Sequence, residues 1–352
     1  MVDKKIQEDL GSAPTEDSRT DQLHIEPPPS PGAVFEPGDK VDRYVVEQAA
    51  GHGGMATVYK VRHQSLDTLH ALKVLFLYEE DKRQRLVEEG RTQARLNHPN
   101  LVSVTDLLDI NGCPALISEW IEGITLCDWM DQDLAQFETS MEIFEQVVEG
   151  VAYAHNNSII HRDLKPANVL LEQSGNKIIA KVTDFGIAKN YSAGLQTGLT
   201  QSGRFLGTPV YMSPEQMHDA SAVNLKTDIF SLGVMLYELV CGRRPFCSDT
   251  LMGLYQALCK GEYTPPTVFC DNLPDAVFRT IKGCLLADPE MRISTCEQLL
   301  AVFRGEDQSQ FEYSSTWPET PAEEEVLSLE ALPRSPAAES PPGTNVAELT
   351  DE

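Results

Sequence analysis

Short runs of β-favouring residues fill the first third of the chain, and apolar residues at helical spacing fill most of the remainder. Residues 44–46, 57–61 and 70–75 read as strands, as do the apolar runs 101–107 and 115–118. Between them, residues 81–96 are highly charged and read as a helix. After Ile121 the pattern turns mainly helical, with apolar positions three or four apart in 141–155, 227–240, 251–259, 274–286 and 295–303. Residues 178–182 interrupt this as a short strand. The pattern predicts an α+β chain with a small β-rich lobe followed by a larger α-rich one, and it contains no internal repeat.

Composition sharpens the limits of that unit. The chain has 352 residues, 41% of them hydrophobic, which is ample for a core. Lysine and arginine number 28 against 54 aspartates and glutamates, a net charge of -26. Of that excess, 16 charges lie in residues 1–38 and 305–352, which are also threaded with proline, from Pro27-Pro28-Pro29 to Pro341-Pro342. Such segments bury too little apolar surface to offset chain entropy and are expected to be disordered tails around a domain at 39–304. Within the last of them, residues 323–332 (EEEVLSLEAL) read either as an idle tail or as a short helix that docks on a partner.

The acidic balance disfavours nucleic acid and anionic membrane surfaces as partners. No run approaches the roughly 18 apolar residues that span a bilayer, and no basic start leads into an apolar stretch, so a cytoplasmic location is expected. Eight cysteines lack any paired spacing that would suggest zinc and read as reduced thiols.

Candidate chemistry begins at Gly51-His52-Gly53-Gly54-Met55, between two strands, with Val58 on the second. Glycines there let the backbone approach phosphate oxygens, although an ordinary hairpin would use them too. A strand on either side argues against a dinucleotide fold, which needs a helix after the turn. Ala71 and Lys73, two apart on a strand, share a face: the small Ala leaves room for a flat ring, and the Lys can reach phosphates. Glu88 and Glu89 offer that Lys a carboxylate, Glu88 reading better as a solvent-facing helix charge. The strongest signals are His161-Arg162-Asp163-Leu164-Lys165-Pro166-Ala167-Asn168 and, sixteen residues after Asn168, Asp184-Phe185-Gly186. Phosphoryl transfer needs a carboxylate to orient a hydroxyl, a cation near the moving phosphate and oxygen ligands for a divalent metal, and these segments supply all three.

With these motifs in order from about residue 39 to 304, the chain resembles the eukaryotic-like protein kinases, most closely the bacterial Hanks-type serine/threonine kinases. The resemblance implies a bilobal fold, an N-lobe near 39–121 and a C-lobe near 122–304, using ATP with Mg²⁺ or Mn²⁺ on protein substrates. It further implies that Asp163 orients the acceptor hydroxyl, Lys165 neutralises the γ-phosphate, and Asn168 and Asp184 hold metal. Glu89 would pair with Lys73, while Ser118, Glu119 and Ile121 would form the gatekeeper and hinge that receive adenine. A gatekeeper as small as Ser118 implies an enlarged back pocket, and Lys165-Pro166 resembles the serine/threonine class. Residues 207–215 look like the end of an activation segment, with Thr208 contacting Asp163 and Lys165 and Glu215 paired to Arg292. Asp228 would anchor the catalytic-loop backbone. Thr200 and Ser202 fall where relatives are phosphorylated, with Arg162 and Lys189 as the receiving basic pocket. A transient dimer for trans-autophosphorylation would fit such activation.

Some positions depart from the family's pattern. Ala56 and Ser213 replace a glycine and an alanine with other small residues, and Gln93 occupies a position often apolar. The alternatives are a pseudokinase or nucleotide-binding scaffold, against which Lys73, Asp163 and Asp184 all stand, and a small-molecule phosphotransferase, against which the 207–215 platform stands.

Overall fold

The computed structural model describes residues 35–52, 56–76, 80–132, 136–185, 209–219 and 222–308. Gly53, Gly54, Met55, Lys189, Thr200, Ser202, Gly207, Thr208 and segment 323–332, singled out by the sequence, lie outside the described residues, as does most of both terminal segments. Phe35 to Gly38, assigned from the sequence to the N-terminal tail, instead pack on the first sheet: the Phe35 ring lies 5.4 Å from that of Tyr59, and Gly38 N–H donates to the Val46 carbonyl at 2.8 Å. At the other end the Asp307 carbonyl accepts from Arg279 at 2.8 Å. These contacts reach slightly past the limits read from composition.

Six antiparallel strands form the first sheet: β1 (Lys40–Val41), β2 (Tyr44–His52), β3 (Ala56–His63), β4 (Leu69–Leu75), β5 (Val104–Ile110) and β6 (Cys113–Glu119), in the order β1-β2-β3-β4-β6-β5. Alternation divides its faces. Tyr59, Val61, Leu72, Val74, Ala115 and Ile117 bury together on one side, while Val58, Ala71, Lys73, Leu116 and Ser118 turn to the other. The register pairs Val58 with Lys73, Lys73 with Leu116, and Ala71 with Ser118, so cross-strand neighbours share that second face. Helix α1 (Glu80–Gln93) packs on this side through Leu86, which joins Leu75 and Leu116 in a small cluster of its own.

The run 101–107 is not one strand. Leu101 bridges to Val182 and is buried in the core of the helical lobe, and β5 starts only at Val104. An apolar residue in the connection between lobes serves the other lobe's core, which periodicity alone does not reveal.

A second sheet, β7 (Gly123–Thr125), β8 (Val169–Ser174) and β9 (Lys177–Val182), lies on the helical lobe beside α2 (Leu126–Asp131) and α3 (Phe137–Asn156). The remaining helices are α4 (Pro214–His218), α5 (Leu225–Cys241), α6 (Leu251–Lys260), α7 (Asp275–Cys284) and α8 (Cys296–Phe303). Helix α5 starts in a capping box, with Asn224 accepting from Lys226 N–H and the Thr227 side chain returning to the Asn224 backbone, and stops at Gly242 in the left-handed region at φ 64°. Every residue from Thr227 to Leu239 is buried, so α5 is enclosed on all sides.

Gly150 lets α3 approach the chain near Asn100, where a Cβ would stand 2.6 Å from the Asn100 carbonyl oxygen. Helix propensity alone favours Ala there by about 1 kcal/mol. We expect the backbone clash to outweigh it, so that Gly150→Ala lowers the chemical-denaturation midpoint; an unchanged or higher midpoint would show that the helix can move away.

Candidate active site

The cleft between the lobes is built from β4, β6, the end of α1, and the loops that precede β8 and follow β9. Lys73, Ser118, Asp163, Lys165, Asn168 and Asp184 all line it, so residues far apart in sequence converge on one surface.

Local geometry in the 161–168 loop is set by a chain of hydrogen bonds. His161 is fully buried, its Nε2–H donating to the Thr183 carbonyl at 2.9 Å and its Nδ1 accepting from Asp163 N–H at 3.2 Å. Those two partners fix the ring's tautomer, and burial lowers its pKa against the pull of Asp228, keeping it neutral. The ring packs 4.7 Å from Phe185. Asp228, at the start of α5, accepts from His161 N–H at 2.7 Å and Arg162 N–H at 2.8 Å. Arg162 has φ 67°, a left-handed conformation that costs energy for a non-glycine residue and persists here because Asp228 holds its amide and Gln216 donates to its carbonyl at 2.7 Å. Its Nε is buried with no hydrogen-bond partner among the described residues.

Asp163 itself is held at both ends. Lys165 Nζ lies 3.0 Å from its Oδ2, and Asn168 Nδ2 donates to its carbonyl at 2.8 Å and to Oδ2 at 3.3 Å. Asn168 thereby spends its NH₂ group and leaves its amide oxygen for another partner. Asp184, also left-handed at φ 59°, meets Lys73 Nζ at 2.6 Å. Loss of solvent in the cleft pushes the Asp184 carboxyl up, but the charge and hydrogen bond of Lys73 more than reverse this and hold it below the usual carboxylate range. Glu89 sits half-buried on α1.

At the back of the cleft, Gln93 joins Ser118, Val104 and Phe185 in the lining. The hinge is fastened on both sides. Glu119 accepts from Ser103 N–H at 2.8 Å and from Lys181 Nζ at 3.1 Å, and Ile121 is buried. Lys60 lies over the Trp120 ring and donates to Glu122 at 2.8 Å. Gly51, His52 and Val58 sit on the β2–β3 hairpin, with Gly51 paired to Val58.

Sequence reasoning did not find Gln216, Lys181, Ser103 or His155, whose Nε2 is 2.8 Å from Asp228. Each acts through a partner dozens of residues away or across the lobe connection, and no local spacing marks it.

A β-rich lobe and a helical lobe meeting at a cleft with this loop geometry define the bilobal protein kinase fold. The family profile described as the protein kinase domain matches residues 44–303, and the chain belongs to that family. Among curated relatives, the serine/threonine-protein kinase PrkC of Bacillus subtilis is 35% identical over 263 residues, 74% of this chain and 40% of that protein. The serine/threonine-protein kinase pkn3 of Myxococcus xanthus is 34% identical over 320 residues, 88% of this chain and 57% of that one. The chain therefore spans less than two thirds of either relative. The solved PknI kinase domain of Mycobacterium tuberculosis is similar in fold, with a TM-score of 0.61 at 24% identity, covering 78% of this chain and all of that one. Among the described residues, no helix is long and apolar enough to cross a membrane.

Proposed function

We propose that the chain is a serine/threonine protein kinase that transfers the ATP γ-phosphate to Ser or Thr hydroxyls of protein substrates. The observation that carries this reading is the convergence of Asp163, Lys165, Asn168, Asp184 and Lys73 on one cleft, with Asp163 and Asp184 each held by a lysine. The acceptor hydroxyl donates to Asp163, whose carboxylate orients it and takes its proton as its oxygen bonds to the γ-phosphorus and the bond from that phosphorus to the bridging oxygen breaks, ADP leaving with the electron pair. Lys165 balances charge on the phosphate in flight, and Lys73 fixes the nucleotide's phosphates. The amide oxygen of Asn168 and the carboxylate of Asp184 are hard oxygen donors suited to Mg²⁺ over softer metals, with Mn²⁺ as the nearest substitute. When bound, the metal neutralises phosphate charge. Gly51 to Met55 with Val58 would cover the phosphates, and Ala71, Ser118, Glu119 and Ile121 would receive adenine, while Glu89 would support Lys73.

Lys165-Pro166 and relatives named as serine/threonine kinases support the acceptor class. The test is incubation with labelled ATP and Mg²⁺, then identification of the modified residues: phosphoserine and phosphothreonine are expected, and label confined to phosphotyrosine, or none, would overturn the reading. We place catalysis in 39–304, give the flanking segments at most a regulatory role, and place the protein in the cytoplasm.

Activation by phosphate at Thr200, with Ser202 second, belongs to the same proposal. The Nε of Arg162, a residue held in the left-handed conformation, has no hydrogen-bond partner among the described residues and would be a donor to an added phosphate. Thr200→Ala with Ser202→Ala is expected to lower activity at least about tenfold and to change autophosphorylation; undiminished activity with an unchanged phosphorylation pattern would remove the idea.

A further inference from the structure

We infer that the Cys296 thiol is a positioning group for catalysis: it donates its S–H to Nδ1 of His155, holds that ring as the neutral Nε2–H tautomer, and through Asp228 steadies the backbone that carries Asp163. The inference rests on the kinase reading for its consequence and on geometry for its substance.

Asp228 is fully buried and, as a carboxylate, only accepts hydrogen bonds. Besides the amides of His161 and Arg162 it takes a third donor, His155 Nε2, at 2.8 Å. Nε2 therefore carries a hydrogen. The other ring nitrogen, Nδ1, faces Cys296 Sγ at 3.6 Å, within reach of a hydrogen bond to sulfur. Burial pushes the Cys296 thiol well up, with the nearby negative charge of Asp228 adding to the effect, so the hydrogen stays on sulfur. A thiol that keeps its hydrogen can satisfy a bare Nδ1, and the ring then needs no second proton.

The sulfur is fixed as firmly as the ring. Cys296 is the first residue of α8, whose opening turn is capped by Thr295 accepting from Gln298 N–H at 3.2 Å. One residue on, Glu297 accepts from Asn156 at 2.9 Å, tying the start of α8 to the end of α3 that bears His155. Cys296, His155 and Asp228 thus form one line from α8 through α3 to α5, ending on the left-handed Arg162. If the ring turns, an Asp228 oxygen loses its third donor and can rotate away from the amides that hold Arg162 and Asp163 in place.

The test uses the full chain with ¹⁵N-labelled histidine, the His155 signals being assigned by their loss in His155→Gln. The parent and Cys296→Ser are expected to show an unprotonated Nδ1 and a protonated Nε2. Cys296→Ala and Cys296→Val, the latter filling the space without a donor, are expected to lose that pattern. In parallel, kcat for phosphate transfer should fall about threefold or more in Ala and Val, with the KM for ATP unchanged, and recover in Ser. A protonated Nδ1 in the parent, parental tautomer and kcat in Val, or a Ser variant that fails as Ala does would overturn the inference. Should the parent transfer no phosphate, the kinase reading falls, while the nitrogen signals still decide whether the thiol sets the tautomer.

Discussion

Asn in place of Asp163 lowers the turnover number for phosphate transfer by on the order of 10²–10⁴-fold, with the KM for ATP little changed. The substitution is nearly isosteric, so the contacts with Lys165 and Asn168 have partners left to make, and the loop's anchor at Asp228 is untouched. What disappears is an anionic oxygen able to orient a hydroxyl and accept its proton. Asp184→Asn is expected to abolish transfer by a different route, since Lys73 then faces a neutral amide and, on the proposed reading, a bound metal would lose its charged ligand. Initial rates with labelled ATP over a range of ATP and protein-acceptor concentrations separate the two: the first variant keeps nucleotide affinity, and the second loses metal-dependent nucleotide binding. Parental rates in both variants would leave the cleft without its assigned chemistry and favour a scaffold.

Arg292→Ala should destabilise the helical lobe by roughly 3–5 kcal/mol, the cost of breaking a buried ion pair from one side. Arg292 has no side-chain exposure and grips Glu215 with two nitrogens, at 2.8 and 3.1 Å. It also donates to the carbonyls of Lys226 at 2.8 Å and Leu286 at 3.0 Å and lies over the Phe230 ring. Its removal leaves a mostly buried carboxylate without its countercharge, held only by weaker donors such as the Thr227 hydroxyl at 3.3 Å, and takes a donor from several carbonyls. Lysine cannot substitute, having one nitrogen where a planar fork is required.

The pair also carries a pH signature. Burial pushes the Glu215 carboxyl up, but hydrogen bonding and charge from Arg292 bring it below its ordinary 4.5. A group lowered on folding stabilises fully above its unfolded pKa and loses that contribution as pH falls through the folded one. The gap in denaturation midpoint between parent and Arg292→Ala should therefore be wide at pH 7 and narrow below about pH 4.5. A gap of the same width at both pH values would mean that packing, not charge, sets the cost.

The sequence made the two lobes legible because their patterns differ in period, and it made the 161–168 and 184–186 motifs legible because their residues sit close together in the chain. Alternation put Ala71 and Lys73 on one face of a strand, whereas Ser118 came to the cleft only through the family resemblance; the β4–β6 register pairs Ala71 with Ser118 across that face. Elements that lack a pattern of their own escaped: β7 has three residues, α4 has five, and β8 adjoins the 161–168 loop directly. Leu101 was placed in a strand because apolar runs look alike whichever core they enter. The fastening of the hinge by Lys181 and the line from Cys296 to Asp228 depend on contacts across 62 and more residues, which no local rule encodes.

The enclosure of α5 has a consequence for synthesis. Thirteen successive residues of that helix have no solvent-facing side in the finished lobe, and α7 packs so closely that a Cβ on Gly233 would stand 2.4 Å from that of Cys284. The ribosome releases α5 well before α7, and at ordinary elongation rates the interval is about 2–9 s. During it a helix that ends up buried on every side has no partner from its own C-terminal side. Chaperone demand in this protein should thus be set by the order in which two helices leave the exit tunnel, and slow codons between residues 242 and 284 would lengthen the exposure.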